Sequence, residues 1–154
     1  MNKYMLEALE EAKKAAEIGE IPVGAIIEKD GEIVARGHNM DRSTNDPTAH
    51  AEMIAIREAS KKLGWKLVGC NMYVTMEPCS MCAGALVWSR IDKLYIGTMD
   101  EKAGACGSVF NIVQDSRLNH RIEVETGIMQ AECQAIVQDF FKKLRIDKKS
   151  EDIK

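Results

Sequence analysis

The sequence lacks the features that mark membrane-spanning, exported and disordered chains. Its longest apolar-leaning runs, CAGALVW and VGAII, are far shorter than the ~20 residues that a helix needs to cross a bilayer. Prolines number only three, and neither a low-complexity segment nor a linker interrupts the chain. The N-terminal segment carries acidic residues through its middle, which is typical of neither a signal peptide nor a transit peptide. We therefore expect a cytoplasmic protein without a membrane partner.

The sequence also lacks the paired cysteines of a disulfide framework. It has five cysteines, an odd number, and among them only Cys79 and Cys82 are closely spaced. This pattern argues for a reducing compartment. The other three, Cys70, Cys106 and Cys133, lie in apolar or loop contexts, where we expect them to act as small buried side chains.

An overall basic charge is absent too, since the formal net charge is −3, which at first speaks against a nucleic-acid partner. The distribution is uneven, however. Residues 1–32 hold four lysines against eight acids, whereas residues 140–149 hold five basic residues against one acid. The basic end can meet phosphates while the whole molecule stays mildly acidic, or it can simply be the solvated end of a helix.

At 154 residues, the chain is long enough for one domain with a real core, and we expect a single domain over 1–154 with a basic tail at about 142–154. The residue pattern predicts the order αββαβαββα or αββαβαβα, with helices layered on a mixed sheet. The predicted elements are a helix at 3–18, a hairpin around Asp30-Gly31, a helix from near Thr48 to about Leu63, a strand at NMYVTM, a buried helix at CSMCAGALVWS, strands at DKLYIGT and RIEVET, and an amphipathic helix from Cys133.

Three side chains form a candidate metal centre: His50, Cys79 and Cys82. The two cysteines follow a predicted strand and begin a predicted helix, where the spacing of three places both sulfurs on one face. A helix N-terminus also favours thiolates over thiols. His50 lies near the start of another predicted helix, so two helix N-termini can point at one ion.

A lone C-x-x-C motif has rival interpretations. A redox dithiol and half of a structural zinc site have the same spacing, but a structural site usually has four protein ligands. No second C-x-x-C is present, and the remaining histidines, His38 and His120, stand alone. Three ligands with a carboxylate beside the histidine fit a catalytic zinc that keeps one position for water. The redox interpretation leaves the histidine and its neighbouring carboxylate unexplained.

The neighbouring carboxylate is Glu52, which we predict to be a proton shuttle rather than a fourth ligand. Residues two apart in the middle of a helix point to opposite faces. His50 and Glu52 can face one centre only if the helix begins at or just before His50.

The two motifs, HAE and PCSMC, are separated by 25 residues and resemble the signature of the zinc-dependent nucleobase deaminases. The resemblance is closer to the bacterial tRNA-specific adenosine deaminases within that superfamily. It extends from about residue 20 to residue 149 through the segments PVGAII, DPTAHAE, YVTMEPCSMCAGALVWSRI, GACGS and LNHRIEV and a C-terminal FF with a basic tail.

This resemblance implies a cytidine-deaminase-like fold, a three-layer α/β/α arrangement with a central mixed five-stranded sheet and helices on both faces. It implies a homodimer with one Zn²⁺ per subunit and a tRNA anticodon stem-loop as substrate. The reaction implied is hydrolytic conversion of adenosine to inosine at the wobble position, with zinc-bound hydroxide attacking C6 and Glu52 carrying the proton.

The resemblance also implies RNA contacts. Asn39 matches a contact to the flipped base, Asp100 matches an acidic residue near an anticodon-loop sugar, and His120 and the Phe140/Phe141 region match parts that flank neighbouring nucleotides. Each has a purely structural alternative: Asn39 as a turn residue, Asp100 as a helix cap, and the phenylalanines as core.

Two other functions are compatible with the sequence at this point. The metal site alone does not select the base, so the chain could instead deaminate free guanine, cytosine or a nucleotide, although the basic tail and LNHR favour tRNA. A structural zinc protein or a non-catalytic RNA-binding protein is the other alternative. The presence of Glu52 argues against it, because a structural site has no need of a proton shuttle.

Overall fold

The computed structural model describes residues 1–153, and their order of elements is αββαβαββα, the longer of the two orders that the sequence predicts. The elements are α1 (Lys3–Glu17), β1 (Gly24–Lys29), β2 (Glu32–His38), α2 (Ala51–Leu63), β3 (Cys70–Met76), α3 (Ser80–Ser89), β4 (Lys93–Thr98), β5 (Glu123–Thr126) and α4 (Gln130–Ile153). The single-domain interpretation stays a prediction, and Lys154, the last residue of the predicted basic tail, lies outside the described residues.

The five strands form one mixed sheet in the order β2-β1-β3-β4-β5. Strand β1 pairs antiparallel with both β2 and β3, whereas β3, β4 and β5 run parallel. Helix α3 makes the crossover between β3 and β4, as parallel strands normally require. The crossover from β4 to β5 is instead an irregular loop over residues 99–122, which borders the site described below.

Helices cover both faces of the sheet, which confirms the predicted three-layer α/β/α fold. Side chains alternate between faces along each strand, so Ile26 and Tyr73 pack with α1 and α4, whereas Ile27 and Val74 pack with α2 and α3. The strands are therefore apolar on both faces, and the core lies on both sides of the sheet.

The turn between β1 and β2 has the predicted residues, Asp30 and Gly31, both at positive φ. This conformation matches the twist of a two-residue hairpin and is readily adopted by Asp-Gly. The Glu28 carboxylate accepts hydrogen bonds from Gly31 N–H (3.0 Å) and Asn71 Nδ2 (3.0 Å), so this turn is also held from within the sheet.

Three helices differ from the sequence-based expectation. Helix α2 begins at Ala51 rather than near Thr48, because the Asp46 carboxylate binds the Thr48 N–H at 2.9 Å and holds that segment in a turn. Helix α3 was expected to be buried all round, but Trp88 is 70% exposed, so one face of α3 is uncovered in the single chain. Helix α4 begins at Gln130, ahead of the predicted start at Cys133.

Helix α2 lies unusually close to the sheet at Gly37 of β2. A Cβ at this position would overlap the carbonyl oxygen of Ala51, which real side chains do not do. The absence of a side chain at Gly37 therefore allows the first turn of α2, which carries Glu52, to pack directly on the strand. No helix within residues 1–153 combines the length and the low charge that a membrane span requires.

Candidate metal centre and adjoining cavity

The structure brings the three predicted ligands together at the end of the sheet where β3 finishes. His50 Nδ1 lies 3.6 Å from Cys79 Sγ and 3.6 Å from Cys82 Sγ, and the three donor atoms all lie within 4.8 Å of one another. His50 is the N-cap of α2, Cys79 is the N-cap of α3, and Cys82 lies in the first turn of α3. The two helix N-termini therefore converge on one point.

The donor spacing fits zinc. Zinc–sulfur bonds of about 2.3 Å and zinc–nitrogen bonds of about 2.05 Å at tetrahedral angles place nitrogen and sulfur about 3.6 Å apart. Both nitrogen–sulfur distances in the chain have this value. Two thiolates and an imidazole are also the ligands that zinc prefers, and three protein ligands leave a fourth position for water.

The pKa values of the two thiols are shifted in opposite directions. The hydrogen bond from Cys82 to Cys79, with help from His50, lowers the pKa of Cys79 to about 3, while the same bond and burial raise the pKa of Cys82 well above its usual range. A bound zinc ion deprotonates a coordinating thiol outright. The low pKa of Cys79 suits a zinc ligand, which binds as the thiolate.

Glu52 lies beside the ligands but does not belong to the donor group. It is the second residue of α2 and is 4% exposed, and it lines the same cavity as His50 and Cys79. Burial raises the pKa of Glu52 to about 7, so this carboxyl can both take up and release a proton near neutral pH. Helix α2 begins directly after His50, so neither His50 nor Glu52 lies in the middle of a helix. Both side chains can therefore face the same centre, as a proton shuttle beside the metal requires.

A cavity of about 190 Å³ opens beside the donor group. It is bounded by the starts of α2 and α3, the segment after β2 and the loop after β4, and its lining residues include Ile21, Val23, Asn39, Asp41, His50, Glu52, Met76, Glu77, Cys79, Asp100 and Ala103. Two of the four predicted RNA-contacting positions, Asn39 and Asp100, are therefore in the cavity wall.

Asn39 also has a structural role that a turn residue would not have. Its Oδ1 accepts the Ala51 N–H at 2.9 Å, and its Nδ2 donates to the Ile21 carbonyl at 3.1 Å. The His50 side chain makes no capping hydrogen bond to α2. Asn39, from a different part of the chain, therefore accepts the first free N–H of this helix. The second Nδ2 hydrogen has no acceptor among the described residues.

Asp100 caps the turn that follows β4. Its Oδ1 accepts the N–H groups of Lys102 (3.1 Å) and Ala103 (3.3 Å). Asp100 thus acts as a cap, as its structural alternative predicts. These two bonds use only Oδ1, so Oδ2 can bind another partner in the cavity.

His120 and Phe140 do not lie in this cavity. His120 Nε2 donates to the Ile91 carbonyl at 2.7 Å, just before β4, whereas the cavity lies beyond the other end of that six-residue strand, roughly 20 Å away. Phe140 lines a groove between α1 and α4. Phe141 instead lines a groove with Lys102 of the loop after β4, and the two phenylalanine rings meet edge to face at 5.6 Å.

Two buried carboxylates near the site were missed in the sequence. Glu20 is fully buried and accepts N–H groups of Arg42 (3.3 Å) and Ser43 (2.7 Å); burial opposes the charge, but these bonds keep the pKa of Glu20 below its ordinary value. Glu77 similarly accepts backbone N–H groups from the loop after β4. The available signal was an isolated acid between apolar neighbours, IGEIP for Glu20 and TMEPC for Glu77.

Comparisons with known proteins agree with this geometry. Residues 1–98 match the family described as the cytidine and deoxycytidylate deaminase zinc-binding region. The tRNA-specific adenosine deaminase of Bacillus subtilis is 49% identical over 148 residues, covering 96% of this chain and 92% of the relative. A solved structure from a study of A-to-I editing by deaminases of the tRNA wobble position has a TM-score of 0.83 at 42% identity, covering 86% of this chain and 97% of that one. A guanine deaminase structure from Bacillus subtilis has a TM-score of 0.60 at 42% identity, covering 64% and 66%.

The donor group predicts which cysteines matter for the metal. Cys82→Ala removes one of three ligands, so we expect the purified variant to lose zinc on dialysis, as measured by metal analysis. Cys133→Ala removes a buried cysteine that packs between α4 and the sheet, and it should keep zinc at the wild-type ratio. Retention of zinc by Cys82→Ala would remove Cys82 from the ligand set.

Proposed function

The chain belongs to the zinc-binding cytidine and deoxycytidylate deaminase family, and on that premise we propose that it converts adenosine to inosine at the wobble position of a tRNA anticodon. The observation that carries this proposal is the His50–Cys79–Cys82 group beside the buried Glu52, in a chain whose similarity to a tRNA-specific adenosine deaminase runs nearly end to end. The net reaction consumes water and releases ammonia.

Zinc held by His50, Cys79 and Cys82 supplies the Lewis acidity that lowers the pKa of a water molecule. Glu52 takes up a proton on its carboxylate, delivers it to the purine ring and then carries a second proton to the departing amino group. Its burial supports this role, because a carboxyl with a pKa of about 7 exchanges protons readily at neutral pH. Glu52 is only 4% exposed in the single chain, which limits the access of bulk water to its carboxyl group.

We propose that Asn39 and Asp100 recognise the substrate in the same cavity. Asn39 has one Nδ2 hydrogen left for an acceptor on the base, since its other polar groups are already paired with Ile21 and Ala51. Asp100 uses Oδ1 for the turn and offers Oδ2 to a ribose hydroxyl. A 2′-hydroxyl bound there would distinguish RNA from DNA.

The groove at the loop after β4 supports contact with the rest of the anticodon loop. Phe141 lies there with Lys102 and Arg145, which combines an aromatic surface for a base with cations for phosphates. Phe140 packs towards α1 instead, so of the two phenylalanines Phe141 is better placed for RNA.

We also propose a homodimer. The single chain exposes an apolar patch made of Leu63, Trp65, Val68 and Trp88. Leu67 N–H donates to the Ser89 carbonyl at 2.7 Å, which holds the Trp65 segment beside the end of α3. His120 is bonded to Ile91, two residues past Ser89, so it lies near the patch, and its contact with RNA stays a prediction.

A cytoplasmic location is part of the proposal as well. It is supported by the five cysteines, all of which are free, as is typical of a reducing compartment. Recovery of the protein in an exported fraction of cells would contradict it.

The second candidate is a deaminase of a free base such as guanine, which the similarity to a guanine deaminase structure favours over other bases. Zinc-loaded protein should form inosine in an anticodon stem-loop with adenosine at the wobble position, while Glu52→Ala keeps zinc but loses roughly 10²- to 10⁴-fold in turnover. Turnover of guanine or cytosine without inosine formation would reject the tRNA proposal. Full activity in Glu52→Ala would reject the shuttle.

Asp100→Asn tests the sugar contact. The amide keeps an oxygen to cap the turn, so the fold should persist, but the group that faces the ligand becomes an NH2, which donates hydrogen bonds and cannot accept one from a hydroxyl. We expect the RNA-over-DNA preference to fall by about tenfold, the value of a hydrogen bond to a charged group. The measurement is deamination of matched RNA and DNA stem-loops. An unchanged preference would remove this role from Asp100.

Truncation after Phe141 tests the basic tail. It removes six basic residues, Lys142, Lys143, Arg145, Lys148, Lys149 and Lys154, together with the acids Asp147, Glu151 and Asp152. Binding of the stem-loop should weaken, and the slope of log affinity against log salt should become shallower by about 0.7 for each phosphate that the tail neutralises in the full-length protein. The same slope in full-length and truncated protein would show that the tail does not bind RNA.

Trp88→Glu tests the dimer. A carboxylate in the apolar patch should shift the protein from dimer to monomer in analytical ultracentrifugation, because the dimer would bury an unpaired charge. Lys66→Glu introduces the same side chain at a position that already carries a charge, next to Trp65, and should leave the dimer intact. A wild-type protein that sediments as a monomer would contradict the dimer proposal.

A further inference from the structure

We propose that Glu77 is a positioning residue that holds the loop of residues 99–108 against the metal-binding end of β3, and so sets where Asp100 meets the substrate. The proposal rests on the tRNA deaminase function for its substrate. Glu77 is not part of the donor group, and its role is exerted through the loop.

The Glu77 carboxylate is the centre around which this loop folds. Oε1 accepts the Asp100 N–H (2.9 Å) and the Ser108 hydroxyl, and Oε2 accepts the N–H groups of Cys106 (3.0 Å) and Ser108 (3.1 Å). The side chain is 4% exposed. Hydrogen bonds to an ionised acceptor are roughly twice as strong as neutral ones, so one carboxylate orders both ends of the loop.

The loop passes directly over this carboxylate. A Cβ at Gly104 would overlap the carboxyl group of Glu77 and the carbonyl oxygen of Asp100. Gly104 N–H donates to that same Asp100 carbonyl at 2.8 Å, which closes the turn. Because Gly104 has no side chain, the loop backbone can pack directly against the Glu77 carboxylate.

Glu77 lies only two residues before the predicted zinc ligand Cys79, so the hydrogen bonds of this segment connect the loop to the metal site. Its N–H donates to the Thr98 carbonyl (2.9 Å), and the carbonyl of the next residue, Pro78, accepts the Ala105 N–H (2.9 Å). Cys79 follows at once. The segment 77–79 thus carries both a zinc ligand and the attachments of the loop, which fixes Asp100 and Ala103 in the cavity wall relative to the metal.

Glu28 provides a matched control. Its carboxylate is likewise buried, at 8% exposure, and likewise accepts a backbone N–H, from Gly31, and a side-chain N–H, from Asn71. It lies at the hairpin end of β1, opposite the end of the sheet that carries the cavity. Glu28→Gln and Glu77→Gln therefore make the same chemical change, an acceptor oxygen replaced by an amide donor, in two different places.

The experiment compares wild-type, Glu28→Gln and Glu77→Gln proteins, all zinc-loaded, on RNA and DNA anticodon stem-loops. For Glu77→Gln we expect zinc content to be unchanged, KM for RNA to rise at least about fivefold with a smaller change in kcat, and the RNA-over-DNA preference to fall. Hydrogen exchange at the amides of Asp100, Cys106 and Ser108 should become faster. Glu28→Gln should match the wild type in all of these measurements.

Unchanged KM, preference and loop exchange in Glu77→Gln, or the same changes in Glu28→Gln, would overturn the positioning role. If Glu77→Gln does not fold, Ser108→Ala removes only the hydroxyl bond and should shift KM and loop exchange in the same direction by less, and no shift would overturn the role. If the wild type forms no inosine, the tRNA function fails, while loop exchange still decides whether Glu77 holds the loop.

Discussion

The convergence of two helix N-termini on one point is the constraint on which the site depends. Helices α2 and α3 both begin where β3 ends, so their free N–H groups and partial positive charges surround His50, Cys79 and Cys82. This environment favours a thiolate at Cys79 and holds His50 Nδ1 3.6 Å from both sulfurs. The close packing of α2 on Gly37 and the cap that Asn39 supplies to α2 both serve this convergence.

Buried carboxylates divide the remaining work at the site. Glu52 lies beside the ligands with a raised pKa, which suits proton transfer. Glu20 and Glu77 are acceptors for backbone N–H groups, and each shapes a loop that borders the cavity. We therefore assign the chemistry to the residues at the helix starts, and the shape of the neighbouring loops to Glu20 and Glu77.

Separating the reacting groups from the cavity walls allows deaminases with the same metal site to act on different substrates. A metal and a proton shuttle are common to deaminases of different bases, so selectivity has to come from the surrounding walls. In this chain the walls carry Asn39 and Asp100, and Asp100 takes its position from the loop that Glu77 holds. Trp88, on helix α3, is among the large apolar side chains that the single chain leaves exposed.

The sequence by itself determined the group of candidate zinc ligands, the neighbouring Glu52, the hairpin at Asp30-Gly31 and the succession of helices and strands. These features rest on local spacing and turn chemistry, which short segments carry on their own. Tertiary structure alone decided the cap of α2, the roles of Glu20 and Glu77 and the separation of His120 from the cavity.

Each of these features depends on a partner far away in the chain, such as Ser43 for Glu20 or Cys106 for Glu77, and no local pattern encodes such pairings. The sequence shows that a residue is acidic, but it does not show which backbone groups that residue will bond when it is buried. Its backbone partners become known when the chain is folded around it, because burial makes those hydrogen bonds necessary and the fold alone decides which N–H groups are near enough to supply them.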